Sequence, residues 1–380
     1  MAPVYTVTAL HTATHAAFIG SKVVISLLAL ELGASQLMIG ALISCYAIAP
    51  LTLGVYCGRL ADTIGMRLPM LFGAAVIGIA MLVGYLWQTL TALFAVAALV
   101  GIGFVFFIVS VQNLVGVMPG NRARNYSILT IGYSVSNFTG PLVAGYMIEY
   151  GGHAQAFLVL ACFTLLPLCV LALRADLTRT IVPKVAAGHR DAFDLLRVPA
   201  LRRQIVISGL LMAAWELYVF YVPIYGHSIG LPASSIGVIL GIFAVATFLV
   251  RFALPIVSAH LRSEHILAAS TVLAAIVCAL FPLLTHAHAL MAASFLLGVG
   301  LGCGQPLSMT LSFERSPAGR SGEVAGLRTI ATNAARVLVP LLSGVLGTAL
   351  GTGAVFWLNA ANLAAISYMA ARKESGAPSS

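Results

Sequence analysis

Charge is what this sequence has least of. Lys, Arg, Asp and Glu make up 8% of 380 residues, and only 11 residues are acidic. A soluble globular domain carries about 25% charged residues. With 60% apolar residues beside so few charges, a surface built for water is excluded, and a bilayer is the solvent that fits. The 20 Lys and Arg outnumber the acids but form no basic stripe with interleaved aromatics, which excludes nucleic acid as a partner. Cysteine is sparse as well. Cys45, Cys57, Cys162, Cys169, Cys278 and Cys303 all fall inside apolar runs, and no two form a Cys-x-x-Cys pair. Packing is therefore expected of them, not disulfides or metal binding. No nucleotide loop, catalytic triad or soluble domain is visible, so neither an enzyme nor a cofactor is expected. The first residues lack a basic region, and the first apolar run contains His11, His15 and Lys22 and continues too far for a cleaved signal peptide.

Long apolar runs are what the chain has in their place. Twelve stretches can each cross a hydrocarbon core of ~30 Å: 4–32, 36–57, 68–88, 91–115, 126–149, 154–174, 202–226, 233–257, 265–285, 288–311, 323–349 and 353–371. The loops between them alternate in charge. One set carries Arg59 and Arg67, Arg122 and Arg124, the stretch from Arg174 to Arg203, Arg262, Arg315 and Arg320, and Arg372 and Lys373. The other set has no Lys or Arg. Basic loops stay in the cytoplasm, so an even number of spans places both termini there. The expected fold is an all-α membrane protein with twelve transmembrane helices in two pseudo-symmetric six-helix bundles. The bundles take residues 1–174 and 202–371. A cytoplasmic linker, 175–201, joins them, with a short surface helix near Asp191–Leu196, and 372–380 forms a tail.

The halves repeat in sequence. At an offset of 197, Gly33 and Ile39-Gly40-Ala41-Leu42 fall on Gly230 and Ile236-Gly237-Val238-Ile239. At an offset of 199, Gly140-Pro141-Leu142-Val143-Ala144-Gly145 falls on Val339-Pro340-Leu341-Leu342-Ser343-Gly344. Duplicated halves of this kind build alternating-access transporters with a substrate site near the midplane.

Between the second and third runs lies a charged loop, Gly58-Arg59-Leu60-Ala61-Asp62-Thr63-Ile64-Gly65-Met66-Arg67. It resembles motif A of the major facilitator superfamily, with Gly58, Leu60, Ala61, Asp62, Gly65 and Arg67 matching. Thr63 and Met66 stand where basic residues are common. The resemblance implies that Asp62 caps the start of helix 11 and locks an outward-facing state, and a carboxylate is stabilised at such a positive helix end. Gly65 suits a tight turn. In the fifth span, Gly132, Gly140, Pro141 and Gly145 resemble motif C of the drug/proton antiporter branch, which implies export. The helix 4 arginine that the family links to proton relay has no counterpart; Gln112 and Asn113 stand there.

Ionisable groups deep in a span are functional candidates by default. Lys22, Glu216 and Arg336 lie near mid-span. Glu216 has apolar neighbours a turn away on its own helix. It is either a proton carrier or half of a structural ion pair. Lys22 shares a helical stripe with His11 and His15, read as a polar cavity wall. His11 and His15 also have metal-ligand spacing, but no third ligand is visible. Lys22 maps near residue 219 in the repeat, so a Lys22–Glu216 contact is expected. Arg336 shares a face with Asn333 and suits carboxylate or phosphate recognition; a pair with Glu216 or with backbone carbonyls is the alternative. Gln112, Asn113 and Gln305 could add hydrogen bonds, and Trp215 and Tyr218 aromatic walls.

The expectation is a secondary transporter of a small anionic or zwitterionic organic molecule, working as one chain in a bacterial cytoplasmic membrane and exporting by proton exchange. Protonation of Glu216 would free its cation to take substrate from the cytoplasm. A proton symporter taking up an anionic metabolite is the alternative.

Overall fold

The computed structural model describes residues 3–118, 122–174, 192–316 and 321–372. Apolar runs without internal polar breaks fold as helices, because a helix satisfies all its backbone groups within one segment. They are α1 (Pro3–Glu31), α2 (Gln36–Ile64), α3 (Arg67–Leu86) and α4 (Leu90–Val117). A long run, Arg122–Leu173, follows and is broken at Gly152, whose φ of 80° and ψ of 172° end one helix and start another. We number the parts α5 (122–151) and α6 (153–173). After them come α7 (Pro199–Ser228), α8 (Ala233–Ser258), α9 (Ser263–Leu280), α10 (Ala287–Glu314), α11 (Ser321–Leu350) and α12 (Thr352–Ala371). Among the described residues there are no strands, and each of the twelve expected spans has its helix. The repeat reaches the backbone. Gly33 and Gly230, offset by 197, both have positive φ, and so do Gly152 and Gly351, offset by 199.

Two expectations need correction. The charged motif between α2 and α3 is mostly helix: α2 runs on past Cys57 to Ile64, leaving only Gly65 and Met66 as the turn. Charge marks where a helix leaves the apolar layer, not where its hydrogen bonds stop. The expected short surface helix in the linker is a 3-10 turn, Ala192–Arg197, exposed at Asp194 and Arg197 and anchored by one buried side chain. Leu195 is 2% exposed and clusters with Leu201, Ile205, Val324 and Leu327. The rest of the linker, 175–191, lies outside the described residues.

The described residues group into two units. One combines those of Met1–Ala186 with Phe220–Ala244, and the other those of Ala187–Val219 with Val245–Ser380. In the first, α1 packs against α5 and α6, while α4 lies against α2 and α3. In the second, α9 lies against both α10 and α12. Glycines set how closely the helices of the first unit approach. A Cβ added at Gly140 would sit 2.7 Å from the Ala16 carbonyl oxygen, and one at Gly145 would sit 2.4 Å from that of Ala233. Gly132 meets the Thr12 and Thr8 side chains, at 2.7 and 2.8 Å. Gly140 and Gly145 thus let α5 touch the backbones of α1 and α8, as small residues do between membrane helices. Large apolar side chains remain outside: Leu173 is 83% and Ile256 69% exposed. A patch-rich apolar surface of this kind suits lipid.

Candidate functional site

Each unit holds its own polar cluster. In the first unit it runs along α1. His11, His15, Phe18 and Lys22 recur at spacings of three and four and form one column. His11 and His15 stack with centroids 5.3 Å apart, and Tyr133 of α5 meets them edge-on at 4.2 and 4.9 Å. Phe104 of α4 stacks on Phe18 at 3.9 Å. The Lys22 ammonium lies 5.2 Å from the Phe18 ring and 5.8 Å from that of Tyr46, the arrangement in which a ring face attracts a cation.

The histidine end of this column differs from the wet wall expected of it, while Lys22 is half-buried. His11 is 0% exposed, and neither ring nitrogen has a hydrogen-bond partner among the described residues. His15 is buried too, with Nδ1 2.6 Å from Ser136 Oγ. Periodicity shows which residues share a face; it does not show whether that face meets water or a neighbouring helix. Here it meets α4 and α5. Gln112 is exposed, its Nε2 donating to the Tyr133 hydroxyl at 3.4 Å, and Asn113 is half-buried.

The second unit holds the ionic cluster. Glu216 on α7 is buried, and its Oε1 lies 3.3 Å from Arg336 Nε on α11. The pair is unequal, with the arginine side chain 47% exposed and the carboxylate 10%. Asn333, one turn earlier on α11, accepts from Arg336 Nη1 at 3.4 Å. Of the alternatives that the sequence left open for Arg336, a pair with Glu216 is what the structure contains. Lys22 stands in the other unit. Tyr218 is not an aromatic wall: it is fully buried and donates to Ser294 Oγ of α10 at 2.7 Å. Trp215 and Gln305 are half-buried.

Sequence reasoning missed a second guanidinium. Arg328 sits two turns before Arg336 on α11 and is half-buried. Its Nε donates to Ser208 Oγ of α7 at 2.9 Å, and its Nη2 to Gln305 Oε1 and backbone oxygen of α10 at 2.7 and 3.1 Å. The signal was present, since Arg328 lies within the span expected at 323–349.

Two arginines outside these clusters close helix ends. Arg67 donates from Nε to the Leu171 oxygen at 2.7 Å and from Nη2 to the Ala172 oxygen at 2.8 Å, so motif A is tied to the end of α6. Arg203 does the same for α12 through the Arg372 oxygen at 2.9 Å. Cations at helix C-termini are favourable. The expected cap from Asp62 onto α11 lies outside the described residues, because the Asp62 side chain is not among them.

A family model described as Major Facilitator Superfamily matches residues 8–339 and 265–375. Multidrug resistance protein 1 of Bacillus subtilis (strain 168) is 25% identical over 362 residues, spanning 90% of this chain and 89% of that one. A probable vesicular acetylcholine transporter-B of Danio rerio is 27% identical over 166 residues, 42% of this chain and 34% of its own. Among solved structures, a mutant of the nucleoside transporter NupG aligns with a TM-score of 0.80 at 13% identity, over 96% of this chain and 98% of that one. A mutant of the peptide transporter POT aligns with a TM-score of 0.79 at 17% identity, over 97% and 93% of the two chains. At such identities these structures speak to the fold.

Proposed function

The chain belongs to the Major Facilitator Superfamily, and from that membership we propose that it exports a small organic zwitterion in exchange for protons. The observation that carries the reading is the Glu216–Arg336 pair at 3.3 Å inside membrane-spanning helices. Such a pair offers both poles that a zwitterion needs. A cationic group of the substrate would take Glu216, and an acidic group would take an arginine. A proton arriving at Glu216 removes the anion that holds the cationic group, so proton and substrate compete for one carboxylate. Competition of that kind is what exchange requires. The motif C glycines and the 25% identity to a multidrug resistance protein support the outward direction.

The substrate's charge decides the sign of this linkage. A pure anion would compete with Glu216 for Arg336, so protonation of Glu216 would help it bind. Proton and anion would then travel together. Freeing the cation by protonation therefore leads to uptake, and export needs the substrate to touch Glu216 itself. The excess of cations, Arg328 and Arg336 against Glu216, favours this second reading.

Proteoliposomes with an imposed pH gradient test both. Exchange predicts that an acidic exterior drives substrate outward, and that Glu216→Gln, which mimics the protonated acid, weakens substrate binding and leaves any residual transport without a response to pH. Pure-anion uptake predicts inward movement under the same gradient. If Glu216→Gln moved substrate with an unaltered pH response, Glu216 would not be the coupling acid. We place the chain in a bacterial cytoplasmic membrane with both termini inside, working as one polypeptide.

A further inference from the structure

The Arg328 cluster lies two turns from the coupling pair along α7 and α11 and has a different electrostatic character. Ser208 has one hydroxyl proton. Its Oγ lies 2.9 Å from the Gln204 carbonyl, one turn back on α7, so the proton goes there. The Ser308 hydroxyl, 2.5 Å away on α10, must then donate to Ser208. Ser208 Oγ accepts from Ser308 and from Arg328 Nε, which uses both lone pairs. Gln305 is oriented in the same way. Its Nε2 faces the Ser208 carbonyl at 3.4 Å and the Met212 sulfur at 3.9 Å, which turns Oε1 toward Arg328.

The guanidinium is therefore held through Nε and Nη2 by three acceptors that carry no charge. Among the described residues no carboxylate pairs with it, whereas Arg336 has Glu216. Nη1 makes no hydrogen bond among the described residues and keeps its two N–H donors. A half-buried charge held only by neutral groups is costly, and an external counter-charge relieves that cost. Neutral acceptors fix the direction of the guanidinium without cancelling its field, which leaves the Nη1 donors to make charge-assisted hydrogen bonds to an oxyanion.

We infer that Arg328, aimed by Ser208 and Gln305, binds the carboxylate of the transported solute. The assignment rests on the reading of an acidic group in the substrate and extends it: Arg328 recognises that group, while Glu216 and Arg336 handle the proton. It removes the need for one arginine to serve as both counter-ion and substrate anchor.

Equilibrium binding tests this without any gradient. The full chain, purified in an uncharged maltoside detergent, is followed by tryptophan fluorescence during heating. Acetate, succinate and benzoate are compared with acetamide, succinamide and benzamide at constant ionic strength. At least one carboxylate raises the melting temperature and its amide does not. Arg328→Gln weakens that binding by about 10- to 100-fold, the worth of a charged hydrogen-bonding group. Arg328→Lys and Ser208→Ala weaken it less, and they decide the matter if Arg328→Gln does not give monodisperse protein. Absence of a shift with every carboxylate, or a shift unchanged by all three variants, overturns the assignment. So does an Arg328-dependent shift produced only by added phosphatidylglycerol, which would make this a lipid headgroup site. A carboxylate shift that survives Glu216→Gln and vanishes in Arg328→Gln supports the site even where proton exchange fails. The reverse pattern overturns the site and leaves the coupling reading standing.

Discussion

At the scale of single residues, side chains in this chain matter by what they meet across a helix interface. Gly140 shows it. An added Cβ would meet backbone atoms of α1, the Ala16 oxygen at 2.7 Å and the Gly20 nitrogen at 3.1 Å, and neither can turn aside. Gly140→Val should destabilise the purified protein by about 1–3 kcal/mol, the range for overpacking. Gly54, with nothing within 4 Å of its added Cβ, is the matched control. Gly54→Ala should leave the melting temperature unchanged or raise it slightly, since alanine is the better helix former. The Glu216–Arg336 pair calls for a double-mutant cycle. With the arginine side chain 47% exposed, water screens part of the attraction. Glu216→Gln and Arg336→Gln, alone and together, should give a coupling of about 1 kcal/mol in denaturation, at the upper end for an exposed pair. Additive single losses would show that the two do not interact.

At the scale of elements, helix ends carry the organisation. Ser35 and Thr89 cap α2 and α4, accepting from the amides of Met38 and Ala92, each at 3.3 Å. Glu149 of α5 accepts from the Ser234 amide at the start of α8 at 3.0 Å. Arg67 is the strongest tie, with two bonds into the last carbonyls of α6. Arg67→Gln should fray that end and cost about 1–2 kcal/mol for the lost charged bonds. Hydrogen exchange should quicken in the last turn of α6 while α3 stays protected; unchanged exchange there would show the tie to be incidental. The two helix-breaking glycine pairs, Gly33 with Gly230 and Gly152 with Gly351, place chain reversals at matching points of the repeat. The sequence repeat was legible through Ile-Gly and Pro-Leu matches, and the backbone shares it because left-handed positions favour glycine in both copies.

At the scale of the whole molecule, topology is the property open to direct test. With the six native cysteines replaced, a cysteine at the exposed His260 should react with an impermeant maleimide only from the cytoplasmic side. One at the exposed His286 should react only from the opposite side. The opposite pattern would reverse the assignment made from loop charge, and labelling of both from one face would show that α9 does not cross. Each helix was legible because a bilayer leaves one solution for an apolar run, a helix about as long as the membrane is thick. The polar sites were legible only in part. Glu216 and Arg336 stood out because charge in a span is rare. Their partnership was only one of the alternatives open to Arg336, since it joins two helices more than a hundred residues apart in the chain.

The order and number of spans, their repeat, the family motifs and the residues worth suspecting all follow from the amino-acid sequence, because hydropathy and charge act locally and need no partner. Whether a polar stripe touches water or another helix, which arginine answers the buried acid and which is held by serine and glutamine, came only with packing. A side chain's neighbours on other helices are set by distances that no spacing along the chain records.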